Sequence, residues 1–271
     1  MALSQAGGRR ALGGVLAAAF VFALAAPAGA FAAEPLRPDL VTMRLEPGDL
    51  VVTHDGKETQ LELSNRLANK GRGPLEIFAS ATSNNCDGNP SNDDRDAFQR
   101  VFQDANGDGV FERGTDTGSQ VIKFGCDRYD PAAGQWDIFD LARYKLRRLH
   151  HRRVLAKSTK VAFCTIDGVH SFPGMPGSPP DRYYPTHGCE PSSTLGVSVG
   201  WADEYYYGLP GQQLDVTGVS PGRYCLISTG DPHNLLRESD NANNTRKTPI
   251  RLNPAKQTAS ALKGGCRLRR R

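Results

Sequence analysis

Short runs of alternating apolar and polar residues, each broken by a turn sequence, fill the stretch from residue 36 to residue 79. The breaks read EPGD, HDGK and NKGRG, in which Gly, Asp and Asn tolerate the left-handed backbone conformations of tight turns. A two-residue alternation turns one side of each run toward a core and the other toward solvent. The pattern predicts an antiparallel meander that opens a β-sandwich.

The composition also favours strands and loops over helices. The chain has 29 Gly, 18 Pro and 38% hydrophobic residues among 271, enough for one all-β domain or two small ones. We predict a mainly β fold, an antiparallel sandwich with long disulfide-tethered loops. One short helix is expected in RDAFQRVFQ (95–103), where Phe98, Val101 and Phe102 would share a face.

The first 33 residues have the form of an export signal. Arg9 and Arg10 precede an Ala-rich apolar segment, and PAGAFAA (27–33) offers small-residue cleavage sites. The apolar segment is too short and too rich in Gly and Ala for a membrane span. We therefore predict a secreted, extracellular protein. The predicted divisions are a signal peptide (1–33), a main domain (34–255) and a basic C-terminal tail (256–271).

Six cysteines follow the predicted signal peptide, and an even number in an exported chain predicts three disulfides. Fifteen pairings exist and the sequence does not select among them; sequential pairing is our expectation. A Pro/Gly-rich loop (171–190) lies largely between the third and fourth cysteines, and loops of this length are commonly functional or tethered. The cysteines are Cys86, Cys126, Cys164, Cys189, Cys225 and Cys266.

Two local runs carry the positive charge of the chain, KLRRLHHRRVLAK (145–157) and CRLRRR (266–271). The net charge is +4, of which two charges come from Arg9 and Arg10. Such runs fit a partner of anionic character, either an extracellular protein or a wall polymer, with cell-wall association as one outcome. The alternative is a solvated strand-and-turn surface with a frayed tail. Nucleic acid is not expected, because no aromatic residues interleave for base stacking.

Two oxygen-rich segments are candidates for calcium. ESDNANN (238–244) places Glu238, Asp240, Asn243 and Asn244 on one turn without a basic residue, and such oxygens suit a hard cation. The alternative is an Asx-rich turn satisfied by its own backbone.

The second segment, DANGDGVFERGTD (104–116), follows the D-x-N-x-D-G opening of calcium loops with Asp104, Asn106 and Asp108. Its twelfth position is Thr115 instead of Glu. An ordinary EF-hand is therefore not expected, and a calcium clip competes with a plain acidic turn.

A longer pattern resembles the lysyl oxidases, secreted copper amine oxidases that oxidise peptidyl lysine. In that family H-x-H-x-H is followed by D-F-x-x-Y and, sixteen residues after the Tyr, by the Lys of K-x-x-F-C. This chain has AGQWDIFDLARY (133–144) and KVAFC (160–164), so Lys160 keeps the family spacing from Tyr144. The three histidine positions, however, are Ala133, Gln135 and Asp137.

The resemblance extends to GWADEY (200–205), which is similar to the family's G-C-Y-D-x-Y, with Trp201 in place of Cys. It implies that Lys160 and Tyr205 are the precursors of the lysine tyrosylquinone cofactor. It also implies that Asp203 is the carboxylate beside that cofactor, suited to remove the α-proton of a bound amine.

The resemblance supports the first calcium site as well. In the family, an E-S-D-x-x-N-N turn binds calcium together with the Asp and Leu of an N-terminal P-D-L. Those two residues are Asp39 and Leu40 here.

The copper positions are poorly furnished. Ala133 offers no donor, Gln135 a weak carbonyl oxygen, and Asp137 a carboxylate suited to harder cations. His150 and His151 are adjacent and would face opposite sides of a strand, which leaves the loop histidines, His170 and His187, as substitutes.

We therefore predict that copper- and quinone-dependent lysine oxidation is impaired or lost, leaving a calcium-stabilised extracellular binding or structural module. The alternatives are an active copper amine oxidase with re-sited copper ligands and a basic module that binds cell wall or polysaccharide.

Overall fold

The computed structural model describes most of the chain after the predicted signal peptide. The chain divides into two units, residues 1–32 and 33–271, and the strands below all belong to the second. Among the described residues no helix is long and apolar enough to cross a membrane. The described residues are 1–2, 34–89, 93–131, 134–158, 162–184, 189–190 and 192–268.

The described residues form nineteen β-strands and one 3₁₀ turn, Pro254–Lys256, and all strand pairs are antiparallel. The predicted mainly β, antiparallel fold is confirmed. In chain order the strands are β1 (Pro35–Leu36), β2 (Leu40–Thr42), β3 (Leu50–Asp55), β4 (Glu58–Leu63), β5 (Asn65–Asn69), β6 (Leu75–Ala79), β7 (Asp94–Gln103), β8 (Ser119–Asp130), β9 (Gln135–Phe139), β10 (Ala142–Arg148), β11 (Val154–Lys157), β12 (Ala162–Phe163), β13 (Val169–His170), β14 (Leu195–Val197), β15 (Trp201–Tyr205), β16 (Gln213–Asp215), β17 (Gly222–Gly230), β18 (Thr245–Asn253) and β19 (Thr258–Ala261).

Four sheets divide these strands. The largest has the order β12-β9-β8-β7-β6-β14, with β1 paired to β7, and the second has the order β11-β10-β17-β18-β19. The smaller sheets are β13-β15-β5-β2 and β16-β4-β3. The predicted opening meander is therefore wrong in its connectivity. Between residues 36 and 79, β3 and β4 pair as a hairpin, but β2 pairs with β5, and β6 pairs with β7 outside this stretch.

The predicted helix over 95–103 is also wrong, because these residues form strand β7. Its buried residues alternate with period two: Ala97 and Gln99 are fully buried and Val101 is nearly so. Phe98 lies on the other face and stacks on Phe78, its cross-strand partner in β6. In a segment of this length, the spacing of Phe98, Val101 and Phe102 fits either the helical or the strand period. Pairing with β6 on one edge and β8 on the other makes the segment a strand.

The main core lies where the sheets face one another. Tyr144 and Leu146 of β10 and Tyr224 and Leu226 of β17 are buried against the leucines of the small sheets, such as Leu61. Each fully buried side chain of this size stabilises the fold by about 1.5–3 kcal/mol.

Three disulfides link neighbouring cysteines in the chain, so the predicted sequential pairing is confirmed. Cys164–Cys189 ties both ends of the predicted Pro/Gly loop, and Cys225–Cys266 fastens the C-terminal segment to β17. The third disulfide joins Cys86 to Cys126. Such bridges fit an oxidising, extracellular compartment.

Candidate functional site

A buried polar cluster forms where β9, β10 and β15 approach from three different sheets. Asp203 and Tyr205 are two residues apart on β15, so their side chains leave the strand on the same face. The charge of Asp137 in β9 raises the pKa of both side chains, and Tyr144 of β10 lies close enough to raise that of Tyr205. The fold thus brings together three strands that the family resemblance singles out.

Tyr205 reaches this cluster with its hydroxyl enclosed, although its ring is partly exposed. The hydroxyl donates to the Cys164 carbonyl at 3.0 Å and accepts from the Cys164 amide at 2.5 Å. Burial, followed by the negative charges of Asp203 and Asp137, raises the pKa of the phenol well above its usual range. Tyr205 is therefore held as a neutral phenol.

Asp203 is only 3% exposed, and its Oδ1 atom is buried without a hydrogen-bond partner. Burial is the main cause that raises the pKa of this carboxyl far above the ordinary value, and the charges of Asp167 and Asp137 add to it. A carboxyl in this environment favours its protonated form. Burial therefore disfavours the ionised form of Asp203 that a general base would need.

The copper positions contain a hydrogen-bonded amide–carboxylate pair. Gln135 Nε2 donates to Asp137 Oδ1 at 2.7 Å, and Asp137 is 3% exposed. A neighbouring carboxyl, Asp127 of β8, is equally buried, and its pKa is raised to about 7 by burial and then by the charge of Asp137. Ala133 lies outside the described residues. Among the described residues, the contacts here are those of an acidic hydrogen-bonded site without imidazole.

His150 and His170, two candidates for the missing donors, make their contacts elsewhere. His170 stacks on Trp201 at 4.3 Å and contacts Ser178 Oγ at 2.8 Å. His150 contacts the Arg267 carbonyl with Nδ1. His187 lies outside the described residues. The described donor set therefore does not fit copper, which prefers several imidazoles.

Within the described ranges one group of three His, Cys, Asp or Glu residues is close enough to share a metal. It consists of Asp94 with Cys86 and Cys126. Both cysteines are joined in a disulfide, so neither is available as a thiolate.

Lys160, the other implied precursor of the quinone, lies outside the described residues. Cys164 belongs to the same K-x-x-F-C motif as Lys160, and its backbone amide and carbonyl form hydrogen bonds with the Tyr205 hydroxyl.

Polar residues without a local motif complete the cluster, and sequence reasoning missed them. The Tyr144 hydroxyl donates to Gln212 Oε1 at 2.8 Å, and Ser228 Oγ donates to Asn65 Oδ1 at 3.0 Å. Asn65 is the register partner of Tyr205 in β5. Only this register, which joins distant parts of the chain, could have revealed them.

The first calcium candidate joins the P-D-L segment near the start of the domain to the ESDNANN segment (238–244). Asn243 Nδ2 donates to Asp39 Oδ1 at 2.8 Å, and Glu238 accepts from the Leu40 amide with Oε2. Asn244 Nδ2 donates to Glu238 Oε1 at 2.7 Å. Residues about 200 positions apart therefore share one oxygen-rich site.

The oxygen atoms of this site have unsatisfied capacity. The side-chain Oδ1 atoms of Asn243 and Asn244 are both buried without a hydrogen-bond partner. Burial, with a further contribution from the charges of Asp231 and Asp39, raises the pKa of Glu238 to about 8. Buried amide oxygens beside a buried carboxyl fit Ca²⁺, which takes oxygen ligands and would favour the ionised Glu238.

Asp240 differs from the other members of the ESDNANN segment. It is exposed, and its Oδ1 accepts from the Ala242 amide at 2.7 Å, an Asx-turn contact. No contact joins it to the Glu238 cluster among the described residues.

In the second calcium candidate, the carboxylates accept hydrogen bonds from backbone amides of the same loop. Asp104 accepts from the amides of Gly107 and Gly109, while Asp108 accepts from that of Val110. The Asn106 side chain accepts from the Asp108 amide and donates to its carboxylate. A buried carboxylate, Asp116, closes the loop from its far end by accepting from the Ala105 and Glu112 amides. This geometry serves an acidic turn as well as a calcium clip.

Comparison with known proteins gives one family. Residues 133–261 match the lysyl oxidase family. The chain is 30% identical to the protein-lysine 6-oxidase of Gallus gallus over 126 residues, 46% of this chain and 26% of the relative. It is 30% identical to that of Sus scrofa over 112 residues, 41% of each chain. It is also 30% identical to the lysyl oxidase homolog 4 of Mus musculus over 138 residues, which cover 17% of the relative. The chain thus spans well under two thirds of these relatives.

Proposed function

We propose, since this chain belongs to the lysyl oxidase family, that it is a secreted member whose copper-dependent lysine oxidation is impaired or lost. In place of that activity, it acts as a calcium-stabilised extracellular module that binds or organises an anionic partner. The family relationship implies copper and lysine tyrosylquinone. We expect that copper does not bind here and that the quinone does not form. Lys160 and Tyr205 would remain as unmodified side chains.

The observation that carries this proposal is the hydrogen bond between Gln135 and Asp137 at two of the three copper positions. A carboxylate already bound by an amide, in a cluster with two other buried carboxyls, Asp127 and Asp203, presents oxygen instead of nitrogen to a metal. Cu²⁺ is bound best by imidazole nitrogen in sites of this type. Without copper, the oxidation of Tyr205 to a quinone by O₂ lacks the metal that promotes it, and burial keeps the Tyr205 hydroxyl in its neutral, less readily oxidised form.

Calcium is the stabilising ion of this proposal. When bound, it would supply a fixed positive charge between Glu238, Asp39 and the amide oxygens of Asn243 and Asn244. These residues already touch one another across the two ends of the domain. Asp104, Asn106 and Asp108 are proposed as a weaker second site.

The test is to express the full chain in copper-supplemented medium and to measure bound metals, quinone absorbance and peptide masses. We expect less than stoichiometric copper, no quinone band and no cross-linked peptide containing Lys160 and Tyr205. A Tyr205→Phe variant should be indistinguishable from the parent chain in all three measurements.

The rival function, an active amine oxidase with re-sited copper ligands, rests on the retained Lys160 and Tyr205. It predicts stoichiometric copper, a quinone that disappears in Tyr205→Phe, and release of peroxide from lysyl peptides. The other rival, a basic wall- or polysaccharide-binding module, predicts binding to a broad range of anionic polymers without any dependence on calcium.

A further inference from the structure

The outward face of the five-stranded sheet is unusually uniform in charge. Tyr144 and Leu146 of β10 point into the core and are fully buried, so the residues between them point outward. The five strands of this sheet contain no Asp or Glu. Their outward-facing basic residues, by register, are Arg143, Lys145, Arg147, Lys157, Arg223, Lys247 and Arg251.

Strand register places several of these cations directly opposite one another. Lys145 is the partner of Lys157, and Arg223 is the partner of Arg251. Lys247 lies in the same cross-strand row as Lys145, on the far side of Ile227. Like charges directly opposite on a sheet destabilise the pairing.

Nothing within the described residues neutralises these cations. None of the seven takes part in an ion pair within the described ranges, although eight ion pairs occur elsewhere. Four of them, Lys157, Arg223, Lys247 and Arg251, are exposed. The repulsion is therefore left for an external anion to relieve.

The C-terminal segment adds its charge to the same face. Cys225 belongs to the outward row, and its disulfide to Cys266 draws the tail across the sheet. Arg147 donates to the Cys266 carbonyl at 3.0 Å, and His150 contacts that of Arg267. Cys266 and Arg267, more than a hundred residues from β10 in sequence, thus join the basic run of that strand in one surface, and the disulfide holds them there against the repulsion of like charges.

We propose that this basic sheet face binds a linear phosphate polymer that lacks rings. Arg147 is buried beneath the tail, so the binding face is defined by Arg143, Lys145, Lys157, Arg223, Lys247 and Arg251 together with Arg267. Strands are about 4.8 Å apart, so Lys157, Lys145 and Lys247 form a line of cations roughly 14 Å long across the sheet. A flexible chain of closely spaced phosphates can follow such a line, and both Lys and Arg bind phosphate oxygens well.

The chemistry of the face argues against ring-containing polymers. The outward positions of the five strands hold no aromatic residue; the other outward positions hold Val154, Cys225, Ile227, Pro249 and small polar residues. Nucleic-acid bases are normally held by aromatic stacking in single-stranded complexes. A sheet that recognises charge alone suits a polymer that presents charge alone. This inference rests on the anionic-partner part of the proposed function.

The experiment measures binding of labelled inorganic polyphosphate to the full chain at several salt concentrations. The test variant is K145Q/K157Q/K247Q, and the control K57Q/R72Q/R237Q removes the same number of exposed charges away from the sheet. We expect the test variant to bind at least tenfold more weakly and to lower the slope of log K against log salt by about 2. The control should match the parent chain, and melting curves would confirm that both variants are folded.

Equal weakening in both variants, or no binding at low salt, would overturn the proposal. So would tighter binding to heparin, polyglutamate, single-stranded DNA or anionic vesicles than to polyphosphate. If heparin or polyglutamate binds the face instead, the anionic partner stands and only the phosphate assignment fails. Copper and quinone measurements are independent of this binding, so their outcome judges the loss of oxidase chemistry separately.

Discussion

At the scale of single residues, carboxyl groups buried with few cationic partners give the domain its most unusual chemistry. Asp127 and Asp203 are each about 3% exposed, and each has an Oδ1 without a hydrogen-bond partner. Both lie near Asp137, which raises the pKa of each. Because neutral carboxyls tolerate burial far better than carboxylates, this cluster favours protons in the folded state.

Asp127 provides a test of that preference. Its pKa rises from the usual 3.8 to about 7 on folding, mainly through burial. The folded chain therefore binds the additional proton, so the contribution of Asp127 to the free energy of unfolding is fully present below about pH 4 and is lost as the pH rises to about 7. We expect Asp127→Asn to flatten this decline, with an upper bound of about 4 kcal/mol on the change. Urea unfolding at pH 4 and pH 8 measures it.

The matched control is Asp55→Asn, since Asp55 is exposed at the end of β3. It should leave the pH dependence of the free energy of unfolding unchanged. Parallel pH profiles for Asp127→Asn and the parent chain would contradict the assignment.

Much of this residue-scale chemistry was beyond the reach of the sequence. Asp203 and Tyr205 were found because a motif marks them, and their shared face follows from strand alternation. Asp127, Asn65 and Gln212 carry no motif, and their place in the cluster depends on pairing between strands distant in the chain. Local periodicity cannot encode such pairing.

At the scale of elements, strand β7 explains how the turn between β17 and β18 is held. Gln99 of β7 is fully buried; its Oε1 accepts from the Arg237 amide at 2.7 Å and its Nε2 donates to the Arg237 carbonyl at 3.1 Å. Asp231 fixes the start of the same turn by accepting from the Leu235 and Leu236 amides. The oxygen-rich site that follows at Glu238 is thus positioned from a different sheet.

We predict that Gln99→Ala destabilises the domain by about 1–3 kcal/mol, because it leaves the Arg237 amide and carbonyl without their partner. It should also weaken calcium binding, since Glu238 is the next residue. Denaturant unfolding and calcium titration measure the two effects. Gln120→Ala, which removes an exposed side chain on β8, is the control and should change neither. A Gln99→Ala chain with unaltered calcium affinity would show that β7 does not position the turn.

The helix predicted for β7 shows why element type was only partly predictable. The mainly β content followed from local alternation and turn residues, and the sequential disulfides agreed with an expectation that the sequence alone could not select. In β7, three apolar residues fit both periods, and the deciding facts were a buried Gln and two neighbouring strands. A buried amide that binds backbone across 138 residues has no signature in its own window.

At the scale of the whole molecule, the oxygen-rich site joins the N-terminal strands to the hairpin of β17 and β18. Asp39 lies between β1 and β2, while Glu238, Asn243 and Asn244 lie between β17 and β18. An ion bound only by the folded chain stabilises it by about 2.7 kcal/mol at 100 times its Kd. For a domain of this size, that corresponds to a rise in Tm of roughly 5–10 °C.

We therefore expect EGTA to lower the Tm of the full chain by that amount and added calcium to restore it. Glu238→Gln should abolish the calcium-dependent part, since it removes the buried carboxylate that the ion would pair with. Asp240→Asn should retain it, because Asp240 is exposed and bonded only to the adjacent turn among the described contacts. Thermal melts of the three chains with and without EGTA make the comparison.

Equal calcium dependence in Glu238→Gln and the parent chain would show that calcium binds at another site, with the loop at 104–116 as the next candidate. An unchanged Tm of the parent chain in EGTA would remove calcium from the proposed function altogether.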